Sequence, residues 1–159
     1  MKTLVVYYTR TGNSKFAAET IAAELEADTE EVIDMKKRQG TLGWLSAGKD
    51  AGSAKETQIA QTKRSPVDYD LIIVAQPIWN GSPTPAIRTY LNKNDLSGKK
   101  VALFFSDATT GLDKAVEKTN ALMPHSTFVG EFAVQGKVFK NKEEAKEKIV
   151  ELCNTLKNA

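Results

Sequence analysis

The chain has 159 residues, of which 41% are hydrophobic and 26% are charged; this is typical of a globular protein and predicts a single domain over residues 1–159. Its one cysteine, Cys153, excludes an intramolecular disulfide and a cysteine-based metal site, and its net charge of +2 is too small for a dedicated nucleic-acid-binding protein. The first eight residues contain no apolar run long enough for a signal peptide or a membrane span, so we expect a cytoplasmic protein without membrane insertion.

Strand-like runs recur along the chain. Residues 3–8, 71–75 and 101–105 are continuous apolar or β-branched runs, which are typical of strands that are covered on both faces. Two further strands are predicted at residues 29–33 and 127–134. We expect all five strands to be buried.

Helical periodicity fills the intervals between the strands. Ala17, Ile21 and Leu25 recur at i, i+4 and i+8 after the first strand, and Thr84 and Pro85 begin the helix after the third. The two later helices have apolar faces formed by Leu112, Ala115, Val116 and Thr119, and by Ala145, Ile149, Leu152, Cys153 and Leu156. This alternation predicts an α/β fold with a doubly wound, five-stranded parallel sheet.

Residues 35–64, which we call the basic segment, interrupt the alternation. Seven basic and two acidic side chains give this segment a charge of +5 and leave −3 for the rest of the chain. A short helix within it is predicted by Leu42, Trp44, Leu45 and Ala47. A connection of this length is either a functional excursion or a packed crossover, and the sequence leaves both open.

The residues after the first strand are rich in hydroxyl and amide groups. In an open doubly wound sheet, ligands bind beyond the carboxyl ends of the strands, and the N–H groups at a helix N-terminus attract anions. Neither a P-loop nor a dinucleotide-binding glycine motif is present. The residues predicted to hold a phosphate are Thr9, Arg10, Thr11, Gly12, Asn13 and Ser14. The alternative is an ordinary helix cap.

Two more loops follow apolar strands at the same edge. The first consists of Pro77, Ile78, Trp79, Asn80 and Gly81, and Trp79 offers a flat face on which a planar ring can stack. The second loop supplies Ser106, Asp107, Thr109 and Gly111. A ring and a phosphate together suggest a mononucleotide. Alternatively, Trp79 packs in the core and Asp107 is a solvated carboxylate.

With these loops the sequence resembles the flavodoxin family. Residues 9–14 are similar to the family's phosphate loop for flavin mononucleotide (FMN), and residues 77–81 and 106–111 lie where its two ring-flanking loops are found. The resemblance implies FMN as the cofactor, and the flavodoxin strand order 2-1-3-4-5. It also implies that the Asn80–Gly81 peptide turns its carbonyl towards flavin N5 on one-electron reduction.

Two features depart from the family pattern. Carriers of this family are usually acidic, whereas this chain has a pI of about 8.6 and the basic segment. The loop 106–111 has no aromatic residue, so one ring face is open or is covered by Trp44, unless Trp44 packs its own segment onto the body.

The resemblance implies an electron carrier that acts between redox partner proteins, such as iron–sulfur proteins or flavin reductases, without catalytic residues or a metal. The alternative is an enzyme, an FMN-dependent NAD(P)H:quinone or flavin oxidoreductase. A non-redox module is a third reading, which the intact phosphate loop disfavours. Fold analogy does not choose between carrier and enzyme, and a monomer and a dimer are both open.

Overall fold

A computed structural model describes residues 1–37 and 40–157, except for the side chains of Thr41 and Trp44. It contains a five-stranded sheet in the order β2-β1-β3-β4-β5, in which every neighbouring pair is parallel. The strands are β1 Thr3–Tyr7, β2 Asp28–Glu31, β3 Leu71–Pro77, β4 Lys100–Ser106 and β5 Thr127–Val134. The predicted fold class and strand order are confirmed.

Helices cover both faces of the sheet. They are α1 Asn13–Leu25, α2 Gly40–Gly52, α3 Pro85–Lys93, α4 Leu112–Asn120 and α5 Lys142–Lys157. Helices α1 and α5 share one hydrophobic cluster, whereas α2, α3 and α4 contribute to the cluster on the opposite face. Within the described ranges, no helix is long and apolar enough to cross a bilayer.

The central strands are buried on both faces because successive side chains enter different clusters. Leu4 and Val6 of β1 join the cluster of α2, α3 and α4, while Val5 and Tyr7 join that of α1 and α5. This explains the continuous apolar runs.

The expectation that all five strands are buried is wrong for the two at the edges. Glu30 is the one buried residue of β2, and Val134 is the one buried residue of β5. Each edge strand pairs on one side only, and the helices pack mainly over the centre of the sheet. Most side chains of β2 and β5 are therefore partly or fully exposed.

The basic segment is a packed crossover with one helix. Helix α2 is longer than expected from the sequence, and it buries Ala47 and Ala51 against the sheet. Residues 57–64 then run beside the end of β2, where the N–H of Met35 donates to the carbonyl of Gln58 at 2.8 Å. Arg38 lies outside the described part of the chain, and so does the side chain of Trp44. A role of Trp44 as a cover for the ring therefore stays a prediction.

A buried carboxylate fastens the end of this segment to the sheet. Glu30 is only 5% exposed and accepts the backbone N–H groups of Lys63 at 3.0 Å and Arg64 at 2.9 Å. Charge-assisted bonds of this kind are stronger than neutral ones. They hold the crossover in place before β3 begins.

Candidate functional site

The three loops chosen from the sequence lie side by side at one edge of the sheet. The carboxyl ends of β1, β3 and β4 are neighbours there, because these strands are adjacent and parallel. Asn13 donates from Nδ2 to Oδ1 of Asp107 at 2.9 Å, which joins the first loop to the third. A Cβ atom on Gly111 would lie 3.0 Å from the Cα of Gly81, so the second loop also contacts the third.

The first loop is shaped by a hydroxyl group and a glycine. The N–H of Gly12 donates to Oγ1 of Thr9 at 3.0 Å, and Gly12 has a φ of 97° in the left-handed region. Among the residues that the structure describes, no side chain caps the N-terminus of α1, and a Cβ on Gly12 would meet nothing within 4 Å. The N–H groups of the first helical turn thus lack a side-chain acceptor there, and an anion can bind at such a helix start.

The other members of this loop take different positions. Ser14 is buried, whereas Thr11 is exposed at the surface. Arg10 points towards α2, because its Nη2 lies 3.5 Å from the carbonyl oxygen of Gly40. The guanidinium thus lies at the rim of the loop, on the side of the basic segment.

The second loop contains a tight two-residue turn. Trp79 and Ser82 exchange backbone hydrogen bonds of 3.4 and 3.1 Å, and the two residues between them, Asn80 and Gly81, have φ angles of 52° and 59°. Asn-Gly is the preferred pair for a turn with two left-handed residues, because neither pays the full steric cost. We call residues 79–82 the Asn-Gly turn.

The Asn-Gly turn is held from two sides. On one side, a Cβ on Gly52 at the end of α2 would overlap the amide of Asn80. On the other side lies the backbone of Gly111. The turn therefore has α2 on one side and the third loop on the other, with little free space between them.

Trp79 packs inward in this structure. Its side chain is 8% exposed, and its ring meets Tyr8 edge to face, with centroids 5.4 Å apart and planes at 86°. This arrangement agrees with the interpretation of Trp79 as a core residue. Stacking of Trp79 on a cofactor stays a prediction. Beside it lies a cavity of about 370 Å³, lined by Leu45, Gly48, Lys49, Ile78, Trp79 and Asn80.

Asp107 does not point freely into solvent. Its carboxylate is half-buried, accepts the bond from Asn13, and fills the space in which a Cβ of Gly136 would stand. Asp107 is thus held by the first loop while it stays partly exposed, and both of its readings, a role beside the cofactor and a solvated carboxylate, stay predictions. Thr109, in contrast, is exposed at the outer part of the third loop.

Sequence reasoning missed three residues that position the second loop. Gln76 accepts from the N–H of Thr84 at 2.9 Å, Lys118 donates to the hydroxyl of Ser82 at 2.8 Å, and Gly52 touches Asn80. Gln76 could have been recognised from the sequence, because it is a polar residue directly after the apolar run 71–75. Nothing local signals Gly52 or Lys118, since both reach the loop through tertiary packing.

The polar groups of the site are mainly hydrogen-bond donors. Over residues 1–37 and 40–157, no group of histidine, cysteine or acidic side chains is placed to hold a metal ion. The three loops offer hydroxyl groups, backbone N–H groups and one guanidinium. Such a donor set suits a phosphate with an attached organic group.

Comparisons with known proteins agree with this chemistry. A family model described as Flavodoxin matches residues 2–156. A search of the curated proteins finds no match. Among solved structures, the chain is similar to a flavoprotein from Lactobacillus acidophilus NCFM in complex with FMN. The two sequences are 26% identical, and the match covers 87% of this chain and 97% of that chain with a TM-score of 0.70.

Two more solved structures show the same fold at lower identity. A Bacteroides uniformis protein described as a flavoprotein is 23% identical and covers 92% of this chain and 96% of its own, with a TM-score of 0.74. Oxidised flavodoxin 2 from Bacillus cereus is 20% identical and covers 98% and 99%, with a TM-score of 0.56. Since the family model spans almost the whole sequence, the chain belongs to the flavodoxin family.

Proposed function

We propose that this flavodoxin-family chain binds FMN across its three loops and carries electrons between redox partner proteins. The observation that carries the proposal is the uncapped N-terminus of α1, with the left-handed Gly12 and open space in front of it. The location we propose is the cytoplasm, and the buried free thiol of Cys153 fits a reducing compartment.

The residues present fit FMN. The phosphate end needs several N–H and O–H donors, which residues 9–14 supply, and Gly12 leaves room that a side chain would fill. The ring end needs two loops that approach each other, and these are the Asn-Gly turn and residues 106–111. FMN is therefore the cofactor, in agreement with the family match and with the FMN complex of the Lactobacillus acidophilus flavoprotein.

FMN supplies the one- and two-electron chemistry, while the protein supplies binding, orientation and electrostatics. Thr9, Gly12 and Ser14 would hold the phosphate end. The Asn80–Gly81 peptide lies in a turn whose glycine tolerates reorientation, so either the carbonyl of Asn80 or the N–H of Gly81 would be able to face the bound ring. Asp107 holds Asn13 in place from the third loop.

Fluorescence titration of FMN with the cofactor-free protein tests the binding proposal. Gly12→Ala forces a side chain into a left-handed conformation, at a cost of about 1–2 kcal/mol, and places a methyl group at the start of α1. We expect the FMN dissociation constant to rise by at least about tenfold. Gly98→Ala is the matched control, because Gly98 also has a positive φ of 74° and open space but follows α3 at the opposite edge. Equal affinities of the two variants would contradict the proposal.

A second candidate function is that of an FMN-dependent NAD(P)H:quinone or flavin oxidoreductase. The cavity beside Trp79 favours this activity. It has a volume of about 370 Å³ and is lined in part by Leu45 and Ile78, so it has room for a small apolar acceptor. Oxidation of NAD(P)H by the loaded protein with a quinone, at a rate above that of free FMN, would establish this activity. If the loaded protein oxidises NAD(P)H no faster than free FMN does, the enzyme function is rejected and the carrier function remains the proposal.

A further inference from the structure

We propose that the redox partner of this chain is an acidic protein that docks on the exposed face of α2. This face, which we call the α2 face, consists of Leu42, Leu45 and Lys49, together with Lys37 of the preceding segment. The inference rests on the proposed function, because the partner would exchange electrons with FMN in the adjacent site.

The α2 face exposes large apolar side chains. Leu42 is 84% exposed and Leu45 is 57% exposed, although Ala47 and Ala51 on the other side of the same helix are buried. Leu42, Leu45 and Lys49 are spaced by three and four residues, so they share one side of the helix. A helix that turns leucines outward has apolar area available for a partner.

The neighbouring segment also exposes apolar side chains. Ile33 and Met35 are 52% and 58% exposed, and they precede Lys36, whose Nζ lies 2.7 Å from Oδ2 of Asp50 on α2. This ion pair fixes the segment against the helix. Several exposed apolar side chains therefore lie on two elements that are in contact, which differs from a single surface leucine.

Exposed positive charge lies on α2 and on the segment that precedes it. Lys37 and Lys49 are exposed, and neither is in an ion pair within the described ranges, whereas Lys36 is neutralised by Asp50. An apolar centre with cationic neighbours attracts an acidic surface and repels a basic one. Charge complementarity thus selects an acidic partner.

The α2 face lies next to the candidate FMN site. Leu45 and Lys49 line the same cavity as Trp79 and Asn80, and Gly52 at the end of α2 touches the Asn80 side chain. A protein bound on α2 therefore lies against the loop that we assign to the ring. This position gives a short path for electrons.

A second copy of this chain is a poorer occupant. Its last helix, α5, carries the densest set of exposed carboxylates, but four glutamates there are interleaved with four lysines. Such a surface offers no net negative charge to Lys37 and Lys49. We therefore do not propose a second copy as the occupant of the α2 face, and the experiment includes a measurement of self-association.

The experiment measures binding of the FMN-loaded full chain to an acidic plant-type [2Fe–2S] ferredoxin by calorimetric titration at low salt. Lys37→Glu/Lys49→Glu is compared with Lys146→Glu/Lys148→Glu, which makes the same charge change on exposed positions of α5, on the opposite face of the sheet. We expect the α2 pair to weaken binding by at least about tenfold, and the α5 pair by less than about threefold. An equal loss in both pairs would show attraction by overall charge and would overturn the proposal.

A second variant tests the apolar part. Leu42→Ser/Leu45→Ser changes side chains that are already exposed, so the fold is retained, and we expect weaker binding with an unchanged salt dependence. Sedimentation of the chain alone shows whether self-association occurs; self-association that disappears in this variant would instead assign the face to a second copy. FMN occupancy is read from the visible absorbance of each sample. Full occupancy without ferredoxin binding overturns the docking inference alone, whereas failure to load FMN overturns the proposed function.

Discussion

The hydroxyl groups of Ser14 and Ser106 are 2.7 Å apart, and both side chains are buried. Ser14 belongs to the first turn of α1, and Ser106 is the last residue of β4. The bond therefore joins the loop assigned to the phosphate with the strand end that begins the third loop. Two parts of the candidate site that are 92 positions apart in the sequence share one hydrogen bond.

Replacement of one partner of this bond will leave the other unpaired in the interior. We expect Ser106→Ala to lower the free energy of unfolding by about 1–3 kcal/mol, because a buried hydroxyl without a partner keeps its desolvation cost. Ser14→Ala will have a similar effect. The double variant will lose less than the sum, since no unpaired hydroxyl remains. Urea unfolding of the cofactor-free protein measures all three, and strictly additive losses would contradict the coupling.

Gly81→Ala tests the Asn-Gly turn. The φ of Gly81 is 59° and the space around a Cβ there is ordinary, so the strain lies mainly in the backbone. We expect the variant to bind FMN but to show a smaller separation between its two one-electron reduction potentials, because the 80–81 peptide reorients less freely. Spectroelectrochemistry measures the separation. Gly98→Ala serves again as control, and an unchanged separation in Gly81→Ala would remove this role from the turn.

Gly52→Ala tests the contact between α2 and the same turn. The added methyl group would overlap the amide of Asn80 and must displace it. Gly48→Ala lies in the same helix with nothing within 4 Å, and it should stabilise the protein by up to about 1 kcal/mol through helix propensity. We expect Gly52→Ala to lack this gain and to shift the NMR signals of the Asn80 side-chain amide. Equal stabilisation by both variants would show that the contact carries no constraint.

The pKa of Tyr7 gives a prediction at alkaline pH. Burial, with the nearby carboxylate of Glu31, raises the pKa of Tyr7 to about 12, from a usual value near 10. Since the folded form keeps its proton longer than the unfolded chain, the stability due to this group is complete below pH 10 and is lost as the pH rises through about 12. In Tyr7→Phe, the free energy of unfolding should fall less steeply between these values.

Ultraviolet titration provides the direct measurement. The difference in tyrosinate absorbance between the original protein and Tyr7→Phe reports the ionisation of Tyr7. In the folded protein, this difference should rise with a midpoint near pH 12. A midpoint near 10 for this difference would mean that the hydroxyl is solvated. The hydrogen bond of 3.2 Å from Tyr7 to Glu31 would then not persist in solution.

The fold was accessible from the sequence because its signals are local. Continuous apolar runs identify β1, β3 and β4, and the helix start at Thr84 is confirmed by its hydroxyl, which accepts the N–H of Ile87 at 3.4 Å. Once the strands are parallel, their loops must meet at one edge. That rule alone brings residues 9–14, 77–81 and 106–111 together.

Side-chain directions within the site were not accessible in this way. Whether Trp79 faces the core or a ligand depends on its packing with Tyr8, and the carboxylate of Asp107 is directed by Asn13. Both contacts join residues about 70 or more positions apart. The burial of edge strands also depends on which strands become neighbours, a property that no single run of residues contains.

The bonds that the carboxylate of Glu30 accepts from the backbone N–H groups of Lys63 and Arg64 have a consequence for aggregation. Together with the pairing of Met35 and Gln58, they keep an extended stretch of the chain beside the end of β2. If the stretch detached, the backbone groups of Ile33 and Met35 would lose their partners and would lengthen the open edge that β2 already has, on which strands of other molecules can add. By holding the stretch in place, the carboxylate of Glu30 limits the length of this open edge, a role that a count of its stabilising bonds would not reveal.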